Sequence, residues 1–183
     1  LYNMFNYMMH FKNTITEYGL ISKFFHWFSA ILLFTQIPLG YYLVDLDFGQ
    51  KRIDIENIHV IIGLMIFYLV IFRLIYKTIN PTPVLKSNLF WGQNFLAKSN
   101  HVLLYIGILL ITVSGILKKL FNGEEVTIFL YNFEIEDNFE LGELFFNIHV
   151  YSNYLIISLI TVHILAVVIH KLFFNENLLK RIL

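Results

Sequence analysis

Cysteine is missing from all 183 residues. That excludes disulfides, iron–sulfur clusters and thiolate ligation, and leaves histidine or carboxylate as the only groups able to hold a metal. Charge is scarce as well. Asp, Glu, Lys and Arg make up 14% of the chain and cancel to a formal net charge of zero, so no basic footprint for nucleic acid is present. Proline occurs three times, at Pro38, Pro81 and Pro83. Residues 1–23 lack an apolar core followed by a small-residue cleavage site, so no cleavable signal peptide is expected. What fills the chain instead is apolar: 57% of residues are hydrophobic, against about 45–50% for a soluble domain, which argues for a membrane protein.

Four runs carry no Asp, Glu, Lys or Arg: residues 24–44, 57–72, 99–117 and 144–170. Three of them meet the requirement of about 20 residues for a spanning helix. The second is shorter but extends through Arg73 and Tyr76, whose side chains can snorkel to the interface, and Asn80-Pro81-Thr82-Pro83 stops it. The spacing predicts spans over about 22–44, 57–78, 99–120 and 143–172, an all-α four-helix transmembrane bundle arranged as two helical hairpins. Pro38 is expected to bend the first span. Residues 1–17 read as an N-terminal extension with little claim to ordered structure, and 18–183 as the transmembrane domain. The apolar loop Val84–Ala97 is expected to lie along the membrane interface, and 121–142 to form a long acidic, aromatic loop.

Charge asymmetry orients the bundle. The N-terminal segment, the 74–98 loop with Arg73, and the C-terminus carry nine basic residues against Glu17 and Glu176. The opposite loops carry four basic residues, Lys51, Arg52, Lys118 and Lys119, against eleven acidic ones, a formal charge of −7. The basic side is therefore expected to be cytoplasmic, with both termini on it.

Histidine carries the functional signal. His149 and His163 are fourteen residues apart in one uninterrupted apolar stretch, nearly four whole helical turns, so both imidazoles leave the same face about 21 Å apart along the axis. Ionisable groups inside a span are costly and mark function by default. Two imidazoles at two depths suggest two metal centres, and in a cysteine-free helical bundle the natural candidate is haem iron. Zinc is a poor alternative because its ligands must converge.

The predicted orientation places His59 and His149 in an outer layer, where they can pair across one haem. The inner layer holds His26, His101, His163 and His170, more than one iron needs, and spacing alone does not choose among them. His101, at the start of its span, reads more readily as a non-ligand, and His10 as a surface residue. The fourteen-residue offset recurs: Gly40 follows His26, Gly115 follows His101, and Arg73 follows His59. The glycines would clear space for a porphyrin, and Arg73 could pair with haem propionates.

These residues also form motifs: Phe25-His26-Trp27; Asn57-Ile58-His59-Val60-Ile61-Ile62-Gly63; Arg73-Leu74 followed by Asn80-Pro81-Thr82-Pro83; and Asn100-His101-Val102-Leu103-Leu104-Tyr105. Ile148-His149 follows with His163 and His170, then the tail Phe173-Phe174-Asn175-Glu176-Asn177-Leu178-Leu179-Lys180-Arg181. From about Tyr18 onward the chain resembles the bacterial cytochrome b561 family of dihaem inner-membrane cytochromes. The resemblance implies two haem b groups, one ligated at His26 and His163 and the other at His59 and His149. It also implies electron transfer within a multi-pass inner-membrane protein in contact with lipid, with exchange at the quinone pool and ubiquinone as a substrate.

His170, seven residues past His163, could then exchange protons with a bound quinone. Two further readings are carried. One is a superoxide:ubiquinone oxidoreductase, which at least one family member resembles, although a −7 outer face has the wrong sign for steering an anion. The other is a cytochrome b anchor subunit, wired to a redox partner protein of a membrane dehydrogenase or hydrogenase. A haem-free four-span structural or transport protein is the remaining alternative.

Overall fold

The computed structural model describes residues 11–83 and 92–183. Four long helices dominate: α1 (Leu20–Val44), α2 (Gln50–Ile79), α3 (Gln93–Phe121) and α4 (Phe139–Phe173). All four are long and apolar enough to cross a membrane. Consecutive helices pack on one another, with α3 and α4 the most extensively joined. The described chain therefore begins and ends at one end of the bundle, called here the termini end. The opposite, loop end carries the α1–α2 connection and a two-stranded antiparallel hairpin, β1 (Val126–Ile128) and β2 (Tyr131–Phe133).

Each helix begins four to seven residues before its charge-free run. Gln50–Glu56 of α2 carries Lys51, Arg52, Asp54 and Glu56 and is still helical. Hydropathy marks only the part of a helix that sits in hydrocarbon, whereas water and headgroups tolerate charged turns beyond it. α1 runs through Pro38 without interruption. α4 is started by Asn138, whose side-chain oxygen accepts from the Leu141 amide at 3.1 Å, an N-cap that satisfies one of the first-turn donors.

The mid-height core is a small apolar cluster: Ile66 and Val70 of α2, Ile108 of α3 and Ile156 of α4, which is 0% exposed. Gly107 makes this closeness attainable, since a Cβ there would stand 2.7 Å from Ile156 Cδ1. Outward positions are apolar too, including Phe34, Ile61 and Val162, as expected of a surface that meets acyl chains instead of water. Hydroxyls within the helices donate to carbonyls one turn back (Ser29 to Phe25, Thr112 to Ile108, Thr161 to Ile157), which satisfies those three donors within the helix.

Residues 1–10 (with His10) and 84–91, most of the expected interfacial loop, lie outside the described residues. The last part of that loop, from Gln93, is the first turn of α3. Residues 11–19 form a bonded turn. Asn13 Oδ1 accepts from the Gly19 amide (3.0 Å) and Ser22 Oγ (2.7 Å), and its Nδ2 donates to the Pro81 carbonyl (3.1 Å). The single Asn side chain thus ties this segment to the ends of α1 and α2.

Candidate functional site

Nearest the loop end, His59 of α2 and His149 of α4 face each other with ring centres 6.2 Å apart. Ile111 of α3 presents its carbonyl 2.7 Å from His149 Nδ1. A carbonyl can only accept, so Nδ1 carries the proton and Nε2 keeps its lone pair for a ligand. His59 Nδ1 is buried without a hydrogen-bond partner. A glycine backs each ring. A Cβ at Gly40 would stand 3.1 Å from His59 Cε1, and one at Gly115 would stand 3.1 Å from both Cε1 and Nδ1 of His149. What lies against each glycine is therefore an imidazole, so the missing side chain lets the ring itself seat on the neighbouring helix. Gln36, one turn before Gly40, donates from Nε2 to the His59 carbonyl at 2.8 Å and locks α1 to α2 at this height.

Nearer the termini end, His26 of α1 and His163 of α4 have ring centres 6.3 Å apart. His101 of α3 lies closer to His163, at 5.4 Å, but is exposed where His26 and His163 are half-buried. Arg73 acts electrostatically on His26, His101 and His163, and its guanidinium lies 5.7 Å from the Tyr105 ring centre. Lys77, one turn on, sits over the same ring at 5.1 Å. Two cations thus share one aromatic platform beside this imidazole pair.

Below lies His170, the buried histidine of the last turn of α4. Asn175 takes a left-handed conformation (φ 54°), which asparagine tolerates, and folds the chain back on the helix end. The Glu176 amide then bonds the His170 carbonyl at 3.0 Å, and Glu176 Oε2 comes to 3.5 Å from His170 Nδ1, ion-pair distance but long for a hydrogen bond. The tail continues to Ile182, whose carbonyl accepts from Trp27 Nε1 at 3.0 Å. Between the tail and the N-terminal turn is a cavity of about 450 Å³, lined by Thr16, Glu17, Lys23, Glu176, Asn177, Leu178, Lys180 and Arg181. Burial raises the pKa of Tyr18, which lies just outside α1, while Arg181 and Arg73 oppose the shift.

At the loop end the basic residues are engaged. Lys118 pairs with Glu56 (3.3 Å) and Glu124 (3.9 Å), and Lys119 pairs with Glu124. Lys51 and Arg52 lie over the rings of Tyr42 and Phe48. Among the described residues no group of three or more His, Asp or Glu converges to hold a metal ion, so the imidazoles offer themselves two at a time.

Sequence reasoning singled out every histidine described here but missed Gln36, Lys77, Gln93 (3.5 Å from His170 Nε2) and Glu176. Only Lys77 left a signal, its four-residue spacing from Arg73 on one helix face.

Four apolar helices long enough to cross a membrane, with imidazoles facing one another inside the bundle at two heights, define a helical membrane protein with paired internal histidines. The chain belongs to the prokaryotic cytochrome b561 family, whose model matches residues 17–183. It is 29% identical over 122 residues to cytochrome b561 homolog 2 of Escherichia coli strain K12. That match covers 66% of this chain and 65% of the relative, less than two thirds of the relative's length. The protein is thus a multi-pass membrane protein of a b-type cytochrome family, and that membership implies a haem b group.

The residues present fit that group. An iron between two imidazoles at about 2.0 Å per bond, with each ring centre roughly 1.2 Å beyond its nitrogen, needs ring centres about 6.4 Å apart. A carbonyl-fixed tautomer with its outward nitrogen free is the usual state of a ligating histidine.

Proposed function

We propose that the chain is a dihaem cytochrome that passes electrons through the bacterial inner membrane and exchanges them with the quinone pool. His59 and His149 would hold one haem, and His26 and His163 the other. The observation that carries the reading is the match of both ring separations, 6.2 and 6.3 Å, to the span of a bis-imidazole iron. His101 at 5.4 Å from His163 falls about 1 Å short of that span, which favours His26 as the partner.

When bound, haem b would supply a reversible one-electron couple, held by the histidine pairs named above. The chain's own residues do the rest. The Ile111 carbonyl orients His149, and Gly40 and Gly115 seat the imidazoles. Arg73 and Lys77, which share the Tyr105 ring, would pair with the propionates of a bound haem. The basic termini end is read as cytoplasmic, with 1–17 an extension of the domain at 18–183.

Glu176 lines the 450 Å³ cavity, and His170 stands behind it with Nδ1 3.5 Å from Oε2, so the pair can pass a proton to a quinone bound there. Superoxide as donor is disfavoured, because Lys118 and Lys119 are neutralised by Glu56 and Glu124 on an already acidic end. The test is direct. Purified, dithionite-reduced protein should be reoxidised by a water-soluble ubiquinone analogue, with both b-type absorption bands bleaching. Bands that stay reduced would contradict quinone exchange.

A further inference from the structure

The sequence predicts a long acidic, aromatic loop over 121–142, and within it the chain forms the hairpin of β1 and β2. The base of the hairpin is pinned at the loop end, where the Asn138 amide bonds the Phe121 carbonyl at 2.8 Å. Its tip does not project outward. The Phe129 amide donates to Tyr68 Oη at 2.8 Å, and the two rings lie 4.7 Å apart. Tyr68 stands between Ile66 and Val70, residues of the mid-height core, and nine residues beyond His59, about 13.5 Å deeper along α2. The hairpin therefore folds back along the bundle and reaches the middle of the apolar slab.

We propose that this connection re-enters the bilayer and that its tip, Phe129–Tyr131, is a surface for the acyl chains of the leaflet on the His59 side. Charge follows the same geometry. The eight residues Val126–Phe133 contain no Asp, Glu, Lys, Arg or His, while Glu124, Glu125, Glu134, Glu136 and Asp137 all lie at the base. Leu130 is 93% exposed and Tyr131 72%, apolar area that water would disfavour and hydrocarbon accepts.

Non-helical backbone at membrane depth is tolerated where protein satisfies it. Here Val126 is buried, β1 lies against α3, and Thr127 Oγ1 bonds Asn132 Oδ1 across the strands at 2.9 Å. Tyr68 satisfies the tip amide. Phe129 holds φ 56°, a strained value for a bulky residue, and persists there because the Tyr68 hydroxyl and ring fix both its amide and its side chain.

The cysteine-free chain permits a clean test by single-cysteine variants Leu130→Cys and Glu136→Cys in liposomes. A bimane label at 130 should be quenched by acyl-chain nitroxide lipids and ignore aqueous iodide, with the reverse at 136. A membrane-impermeant maleimide should react at 130 at least about tenfold more slowly, since apolar surroundings suppress the thiolate. Tyr68→Phe should shift the 130 label toward iodide while leaving the haem spectrum intact. Unchanged quenching in Tyr68→Phe would refute the latch. Iodide quenching at 130 equal to that at 136 would place the tip in water, where a soluble partner could dock. Silence to both quenchers would overturn lipid as the occupant, and Leu130→Cys disulfide dimers would then identify a second copy.

Discussion

Replacing Gly115 by Ala puts a methyl carbon 3.1 Å from both Nδ1 and Cε1 of His149, inside the 3.4 Å at which ordinary contact begins. The ring must retreat by a few tenths of an ångström. It cannot do so freely, because Nδ1 is bonded to the Ile111 carbonyl at 2.7 Å. Overpacking of this kind costs about 1–3 kcal/mol, and a loosened hydrogen bond about 0.5–1.5 kcal/mol more. Together these come to about 1.5–4.5 kcal/mol, so at 1.4 kcal/mol per factor of ten haem at that site should be held roughly 10–1,000-fold more weakly. The assay is a pyridine haemochrome ratio of haem to protein, with reduced spectra before and after washing with a haem scavenger. Gly115→Ala should lose the same haem that His149→Ala lacks and keep the other. Gly40→Ala meets only His59 Cε1 at 3.1 Å, with Nδ1 at 3.8 Å, and should be milder. Full retention in Gly115→Ala, or loss of the haem that survives in His149→Ala, would refute the reasoning.

Gly107→Ala should lower the thermal midpoint of haem-band loss by driving a methyl 2.7 Å from Ile156 Cδ1, at a cost of about 1–3 kcal/mol, and Ile156→Val, which removes that atom, should rescue it. No rescue would mean the close approach is not the cause. Arg73→Gln removes a positive charge beside His26 and His163 and should lower one haem's midpoint potential by on the order of 50–100 mV in a redox titration. An unchanged titration would remove Arg73 from that site. His170→Ala should leave both haem spectra intact yet slow quinone reduction by roughly two orders of magnitude, the reach of a general acid–base group. Unaltered turnover would show that His170 carries no proton.

The four spans were legible because lipid imposes one requirement, a charge-free run of helix, that can be counted. Helix starts were not, since Gln50–Glu56 is helical for reasons of packing and solvation that hydropathy does not see. The heights of His26, His59, His149 and His163 followed from span order, each residue's place in its span and helical rise, and their pairing distances of 6.2 and 6.3 Å needed the tertiary arrangement. Gly40 and Gly115 were noticed for the right period, but only the fold reveals that imidazoles press on them. Glu176 was invisible as a partner of His170 because a left-handed Asn175, not helical spacing, brings it back. The hairpin at Val126–Phe133 hid in its brevity, since two three-residue strands leave almost no alternating pattern to read.

The central claim is that iron sits between two specific pairs of imidazoles. A haem-to-protein ratio on the wild type and on the alanine variants of His26, His59, His149, His163 and His101 tests it most directly. The account predicts two haems per chain in the wild type and in His101→Ala. It predicts one in each of the other four, with His26→Ala and His163→Ala leaving one residual spectrum, and His59→Ala and His149→Ala leaving the other. A single haem in the wild type, or a haem lost in His101→Ala and kept in His26→Ala, would contradict it.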